Sequence, residues 1–396
     1  MRFSSWAWLL ALGVSLADAA PFTPSSDSEV VERLPLTSDP AARQLESLRR
    51  QLVGRPDDHA LRLDIGRRYF SLAMAQGDPR LVGYATAAIA PLAAQSADSA
   101  DYWLLRGQLE QFSHQFEPAL ASLEKASQIN PKDPEPLAWR AAIFMVQARY
   151  AEALAECERL APLAVPLFGT GCRAYAQAAT GGLGPAYESL AAAVRTATAA
   201  TPPPAPELLL WAYTRLAEMA IRLQKSDAAE QYFKSALRLG VIDQFLLGAY
   251  ADFLLAQQRP AEVLTLLAGW ERSDILLLRL ALAGKATRDS RATDWANQLR
   301  DRFQAAALRG DPLHEQEAAR FDLDIEGNPA KALAAASSNY TVQKEPRDAE
   351  ILMRTALAAR QAKAAQPALD WLRTSRYEDP AFDKLAAQLA AQGATR

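Results

Sequence analysis

The stretch WLLRGQLEQFSHQFEPALASLEKASQINP, from Trp103 to Pro131, decides the fold. Small residues stand twelve positions apart at Gly107 and Ala119, and Leu123 follows four positions later. This spacing predicts two antiparallel helices that cross closely at the two small residues, with Leu123 filling the space between them. Pro131 then ends the second helix, because proline cannot continue the helical hydrogen-bond ladder.

The same spacing of small residues recurs along the chain, and its period is 34 residues. Further copies begin at Ala141, Ala217, Ala251 and Ala356. Less regular units near residues 168–199, 274–308 and 312–340 are placed by their length. Alanine and leucine, both good helix formers, are frequent, and sustained alternation of β-branched residues is missing. We therefore expect an all-α chain of about eight or nine antiparallel helical hairpins.

This pattern resembles the tetratricopeptide repeat (TPR), whose family signature is a 34-residue helix–turn–helix unit. Residues 100–133 match it best, and residues 134–167, 210–243, 244–277 and 349–382 match in part. The resemblance implies a protein of the TPR superfamily, folded as a right-handed α-solenoid. A solenoid of another repeat class is the alternative.

The first residues have the features of a secretory signal. Arg2 precedes an apolar run from Trp6 to Ala17, and the small residues Ala17 and Ala19 suit a signal peptidase. We expect a signal peptide at residues 1–19, with an uncleaved anchor as the alternative. After cleavage we expect no stable membrane insertion, since no later apolar run is long enough to span a bilayer. The protein would then be periplasmic in a Gram-negative bacterium and secreted otherwise.

The remaining chain divides at a proline-rich stretch. We expect a flexible leader at residues 20–38, an N-terminal TPR-like array at 39–200 and a C-terminal TPR-like array at 207–396. The linker between the arrays, residues 201–206, reads TPPPAP. The sequence leaves open whether this linker joins two rigid arrays or lengthens one turn.

Composition and motifs favour binding over catalysis. The formal net charge of -3 argues against a nucleic-acid partner, which would favour a strong basic excess. His59, His114 and His314 are scattered without metal-ligand spacing, and neither a phosphate-binding glycine loop nor a nucleophile motif occurs. The sequence therefore predicts no enzyme activity, no cofactor and no metal site.

Two cysteines, Cys157 and Cys172, lie at similar distances from the turn that Pro162 and Pro166 bracket. In an antiparallel helix pair this places them at about the same height, as a disulfide requires. An export signal implies an oxidising compartment, which would allow the bond to form. Two buried thiols that act as small apolar residues are the alternative.

The resemblance also implies where a partner would bind, because the first helices of such repeats line a concave groove. We expect partner-binding side chains on three of these helices. They are Leu104, Gln108, Gln111 and Phe112; Trp211, Thr214, Glu218 and Arg222; and Phe245, Asp252 and Leu255. The lysines and asparagines with which some family members clamp a C-terminal carboxylate are missing, which favours a mixed polar and apolar peptide or a folded partner.

The functional prediction is an exported, non-catalytic scaffold or adaptor that binds another protein or peptide of the cell envelope. Two alternatives stay open at this point. The chain could be a structural subunit of an envelope or export assembly, or a cell-envelope hydrolase with an unrecognised site.

Overall fold

The computed structural model describes residues 40–76, 80–241, 243–308 and 315–394, and all regular structure in these ranges is helical. The predicted signal peptide (1–19) and leader (20–38) lie outside the described residues, as does His314. The chain divides into two compact units, residues 1–47 and residues 48–396. Helix α1 runs from Pro40 to Gly54, and all helices after it belong to the second unit.

The second unit is a succession of helix pairs in which the two helices of each pair pack against one another. In chain order the pairs are α2 (His59–Gln76) with α3 (Arg80–Ile89), α4 (Ala100–Phe112) with α5 (Phe116–Ile129), α6 (Glu135–Val146) with α7 (Tyr150–Leu160), α8 (Pro166–Ala178) with α9 (Leu183–Thr198), α10 (Pro206–Arg222) with α11 (Ser226–Leu237), α12 (Gln244–Ala256) with α13 (Pro260–Leu266), α14 (Asp274–Thr287) with α15 (Ala292–Leu308), α16 (Glu315–Asp324) with α17 (Pro329–Val342), and α18 (Pro346–Ala358) with α19 (Gln366–Ser375). Helix α20 (Pro380–Ala394) follows, and short 3-10 helices span Ala90–Leu92 and Ala362–Ala365. The all-α solenoid of eight or nine helical hairpins is thus confirmed.

The helix crossing predicted at residues 103–131 has the expected physical cause. A Cβ atom added to Gly107 would lie 2.6 Å from Cγ of Leu123 and 3.2 Å from the backbone oxygen of Ala119. Leu123 and Ala119 are both fully buried. The missing side chain at Gly107 therefore lets α4 approach α5 closely enough for Leu123 to fill the space between them.

Buried apolar residues continue without a break across the proline-rich stretch. One cluster extends from Leu167 in α8 to Phe321 in α16, and α9 packs directly against α10. Residues 199–205 connect these two helices, and Pro206 of the predicted linker is the first residue of α10. The division of the chain into two arrays at this point stays a prediction.

Candidate functional site

A cavity of about 640 Å³ lies on the face built from the first helices of the pairs. Helices α2, α4, α6, α10 and α12 supply nearly all of its walls. The described lining is Arg67, Phe70, Ser71, Met74, Ala75, Leu104, Leu105, Gln108, Glu135, Trp139, Glu207, Leu210, Trp211, Thr214, Arg215, Val241, Asp243 and Phe245. Side chains from five repeats therefore converge on one space.

A contact between distant repeats bounds this cavity on one side. Gln244 lies at the start of α12, and its side-chain amide donates to the backbone oxygen of Met74 in α2 over 3.4 Å. Its Oε1 accepts a hydrogen bond from the hydroxyl of Ser273 over 3.1 Å. Gln244 and Ser273 are both buried; the first bond joins α12 to α2, and the second joins α12 to the N-cap of α14.

Aromatic rings form much of the apolar wall. Phe70 packs edge-on against Trp139, with ring centroids 5.8 Å apart, and Trp211 packs edge-on against Phe168 at 5.6 Å. A Cβ atom on Gly171 would collide with the Trp211 ring, so the glycine in α8 makes room for this indole. Edge-to-face packing of this kind holds each ring in one orientation.

Two arginines in the lining are already paired within the chain. Arg67 forms an ion pair with Asp101 at 2.9 Å, and Arg215 forms one with Glu218 at 3.0 Å. The Arg215 guanidinium also lies over the Tyr175 ring, 4.8 Å from its centroid. Burial lowers the pKa of Arg215, but the nearby Glu218 carboxylate raises that pKa above its ordinary value. Arg215 therefore stays charged, with that charge directed at Glu218.

Acidic residues stand at three helix N-termini around the cavity. Glu135 is the first residue of α6 and accepts a hydrogen bond from the Gln108 amide over 2.9 Å. Asp243 caps α12 by accepting from the backbone N–H of Leu246 over 2.7 Å. Glu207 lies in the first turn of α10 and is exposed. Each carboxylate is favourably placed against its helix dipole.

The structure brings five of the eleven predicted partner-binding residues to this one cavity. The five are Leu104, Gln108, Trp211, Thr214 and Phe245. Thr214 is buried, and its hydroxyl donates to the backbone oxygen of Leu210 over 2.9 Å, so it presents little polar surface to a ligand. Phe245, by contrast, keeps 37% of its surface exposed. Whether the five contact a partner stays a prediction.

The other six predicted residues are not part of the cavity lining. Phe112 packs against Phe70 at 6.5 Å, Leu255 packs against the largest apolar cluster, and Gln111 is half-buried near the end of α4. Asp252 bonds Arg279 at 2.6 Å and Arg320 at 2.7 Å. Burial raises the pKa of Asp252, but the two guanidinium groups outweigh this effect and lower the pKa to about 2. The remaining two residues, Glu218 and Arg222, make ionic or polar contacts within the chain.

The C-terminal repeats account for the contacts of Arg222. Its guanidinium donates to the backbone oxygens of Glu378 and Ala178 and lies over the Tyr377 ring, 3.8 Å from the centroid. The Glu378 carboxylate in turn accepts from the backbone N–H of Leu183, at the start of α9, over 2.7 Å. The first helices of the middle repeats are therefore partly covered by the chain itself at Arg222, and remain open at the cavity.

Several lining residues escape prediction from the sequence because they belong to helices for which no binding position is assigned. Phe70 lies in α2 and Trp139 in α6, and these two helices complete the wall opposite α10. An aromatic residue on the first helix of a repeat is the signal that could have found them. In sequence alone that signal is shared with ordinary core residues, and Phe70 is in fact almost fully buried.

Cys157 in α7 and Cys172 in α8 form a disulfide, with Cα atoms 5.5 Å apart. Cys157 is buried at the position that Leu123 occupies in the preceding pair. The bond therefore links the second helix of one repeat to the first helix of the next.

The described ranges hold neither a metal-binding cluster nor a helix suited to cross a membrane. No group of three or more His, Cys, Asp or Glu side chains there is arranged to hold a metal ion. None of the described helices is both long and apolar enough to span a bilayer.

The described chain is thus an α-helical repeat protein with a cavity on the face of its first helices. The tetratricopeptide repeat family model matches residues 212–239, which lie in α10 and α11. This match, together with the stacked helix pairs, supports a protein of the TPR superfamily. The comparison with curated proteins gave no significant match.

Solved structures with the same kind of fold include three proteins of different kinds. The APC/C hetero-tetramer Cut9–Hcn1 is 16% identical, covers 80% of this chain with 52% of its own, and gives a TM-score of 0.39. PilW, a type IV pilus biogenesis factor, is 18% identical over 61% of this chain and 94% of its own, with a TM-score of 0.35. A Rap protein complexed with competence and sporulation factor is 12% identical, and the match covers 89% of this chain and 99% of the Rap chain. Its TM-score is 0.47. This chain spans about half the length of the first, and at these scores the likenesses carry no argument about function.

Proposed function

We propose that the protein is an exported, non-catalytic scaffold that binds another protein or peptide in the cavity between α2, α4, α6, α10 and α12. The convergence of side chains from five repeats on one open space, with aromatic rings from four of them, carries this proposal. A volume of about 640 Å³ falls within the range of ordinary ligand sites. Tryptophan and other aromatic side chains are also frequent anchors of protein interfaces.

The rest of the first-helix face supports the same location. Around Arg222 that face is occupied by residues of the last repeats, and around Asp252 it is occupied by Arg279 and Arg320. A partner there would have to displace partly buried, charge-assisted hydrogen bonds. At the cavity a partner would meet aromatic and aliphatic side chains together with the acidic residues Glu135, Glu207 and Asp243.

Crosslinking from the cavity tests the proposal. The photoreactive residue p-benzoyl-phenylalanine would replace Phe245 in the full-length protein, expressed in its native host. The matched control replaces Ile129 at the end of α5, which has the same exposure of 37% but lies outside the cavity. We expect a discrete crosslinked product from position 245 and none from position 129. The absence of a product at 245, or the same product from both positions, would contradict the proposal.

Export is the second part of the proposal. The signal-like residues 1–19 support it, and so does the Cys157–Cys172 disulfide, since such bonds persist mainly in oxidising compartments. Mass spectrometry of protein recovered from the native host tests it. We expect a mature N-terminus at Ala20 or within a few residues of it, and recovery outside the cytoplasm. An intact chain that starts at Met1 and is found in the cytoplasm would refute export.

A further inference from the structure

We infer that the occupant of the cavity is a peptide segment that carries a cationic side chain, lysine or arginine, next to an aromatic or aliphatic one. This inference rests on the proposed function and specifies its partner. It is drawn from the distribution of charge and aromatic surface around the lining residues.

The two cations in the lining, Arg67 and Arg215, are already paired within the chain. Arg215 directs its charge at Glu218 and Tyr175, and its Nε atom is sealed from solvent without a hydrogen-bond partner. Arg67 in α2 pairs with Asp101 in α4, and both side chains are exposed. Both guanidinium charges are therefore balanced by carboxylates that do not line the cavity.

Glu135, Glu207 and Asp243 give the cavity its negative charge. No Lys or Arg among the described residues forms an ion pair with Glu135, Glu207 or Asp243. Each stands at a helix N-terminus, which contributes only about half a positive charge. One full negative charge at each of the three positions therefore leaves a net negative potential in the cavity, and this potential favours a cation.

The aromatic wall of the cavity offers ring faces to a cation. Trp139, Trp211 and Phe245 line the cavity, and within the described part of the chain no Lys or Arg lies over any of these three rings. Cations elsewhere in the protein do use aromatic faces, as Arg222 does with Tyr377. A cation that enters the cavity would be attracted by both the carboxylates and the ring faces. An adjacent apolar side chain would be buried against the apolar part of the wall.

The test uses three peptides that carry the same dye and differ at one position, Gly-Ser-Phe-X-Leu-Gly, where X is Arg, Gln or Glu. Their binding to the purified mature protein is followed by fluorescence anisotropy. We expect the Arg peptide to bind about tenfold more tightly than the Gln peptide, the affinity ratio of one well-formed charge contact. The Glu peptide should bind most weakly.

The variant Glu135→Gln/Glu207→Gln keeps the size of both side chains and one acceptor oxygen on each, and it removes their charge. We expect it to reduce the Arg-to-Gln preference to within about threefold while the Gln peptide binds as before. Asp227→Asn is the matched control, because Asp227 is an exposed acid in the first turn of α11, away from the cavity. This control should retain the tenfold preference.

Two kinds of result would overturn the inference. The first is equal binding of the Arg and Gln peptides, tighter binding of the Glu peptide, or no binding of any of the three. The second is a concentration-dependent dimer in sedimentation that the double variant dissolves, since the occupant would then be a second copy of this chain. A crosslink from position 245 combined with either result would leave the proposed function standing and remove only the choice of partner.

Discussion

At the scale of single residues, Gly107 tests whether the recurring small residues act by letting helices approach. Gly107→Ala places a Cβ atom 2.6 Å from Cγ of the fully buried Leu123, so one of the two helices has to shift. We expect this variant to lower the free energy of unfolding by about 2 kcal/mol, the cost of overpacking a tight core. Chemical denaturation followed by circular dichroism measures the change.

Gly83→Ala is the matched control, because the added Cβ atom of this exposed α3 residue meets nothing within 4 Å. Here the better helix propensity of alanine should raise the free energy of unfolding by about 0.5–1 kcal/mol. Equal effects of the two substitutions would show that helix propensity, and not close approach, governs position 107.

The buried side chain of Asp348 makes the free energy of unfolding depend on pH. It is 1% exposed, and its carboxylate accepts from the Asn339 side chain and from the backbone N–H of Glu345, both at 2.9 Å. Burial, reinforced by the neighbouring Glu345 carboxylate, raises the pKa of Asp348 to about 7. The ordinary pKa of aspartate is about 4. The folded state therefore holds this proton more tightly than the unfolded chain does.

The sign follows from that difference. As pH rises from about 4 to 7, the unfolded chain releases the proton and the folded chain keeps it, so the free energy of unfolding falls. Asp348→Asn keeps both hydrogen bonds if the Asn339 amide reverses, and it should abolish this fall. We expect the variant to be more stable than the native chain at pH 8 by up to about 4 kcal/mol, and similar to it near pH 4. A parallel decline in variant and native chain would disprove the assignment, and Asp227→Asn controls for net charge.

At the scale of elements, the turns between paired helices share a feature that the sequence hides. His114, Ala148, Gln224, Gln258, Arg288 and Arg360 all occupy the left-handed region, with φ between 55° and 59°. After each of them, the next N–H donates to the carbonyl five residues earlier over 2.8–2.9 Å. This is the Schellman ending of a helix, in which glycine is the usual left-handed residue.

This feature explains which part of each repeat was predictable. The 34-residue period can be detected because close helix contacts require small residues, as at Ala217 and Ala229. The turns recur with the same step, from His114 to Ala148 and from Gln224 to Gln258, but different residue types occupy them. Because backbone hydrogen bonds define the turn, no side-chain signature marks it in the sequence.

Gln258→Gly is the corresponding prediction. Gln258 is exposed with φ of 58°, and a left-handed backbone costs a residue with a Cβ atom roughly 1 kcal/mol. We expect the substitution to raise the free energy of unfolding by about 1 kcal/mol. The neighbouring Gln257→Gly, where φ is -80°, should lower it by a similar amount, because there glycine only adds freedom to the unfolded chain. Denaturation curves that shift in the same direction for both variants would contradict this account.

At the scale of the whole second unit, the contacts that the sequence could not predict join repeats far apart along the chain. Trp371 Nε1 donates to the Tyr150 hydroxyl over 2.9 Å, and Lys344 N donates to the Val146 oxygen over 2.7 Å. Repeat patterns specify contacts between neighbours only. For the same reason the sequence predicts only part of the cavity. The repeat pattern predicts its walls in α10 and α12, but it does not predict that α2 approaches α12 through Gln244.

These long-range contacts bear on the predicted boundary at residues 201–206. A solenoid held together by neighbour contacts alone can unfold in segments. Here the apolar cluster from Leu167 to Phe321 crosses the boundary, and Arg222 and Glu378 tie the last repeats to α8, α9 and α10. We therefore expect residues 59–394 to unfold in a single cooperative transition.

Cleavage of the exposed 201–206 segment tests this expectation, after a protease site has replaced its central prolines. Both fragments should elute together in size-exclusion chromatography, since the interface of α10 with α8 and α9 does not depend on chain continuity. The cleaved protein should still melt in one calorimetric transition, at a lower temperature because chain scission adds the entropy of separation. Adding Arg222→Ala and Trp371→Ala should loosen the cleaved complex, because these substitutions remove the contacts with Ala178 and Tyr150 of the other fragment. Two fragments that separate, or two transitions in the uncleaved chain, would instead support two independent arrays joined at the proline-rich stretch.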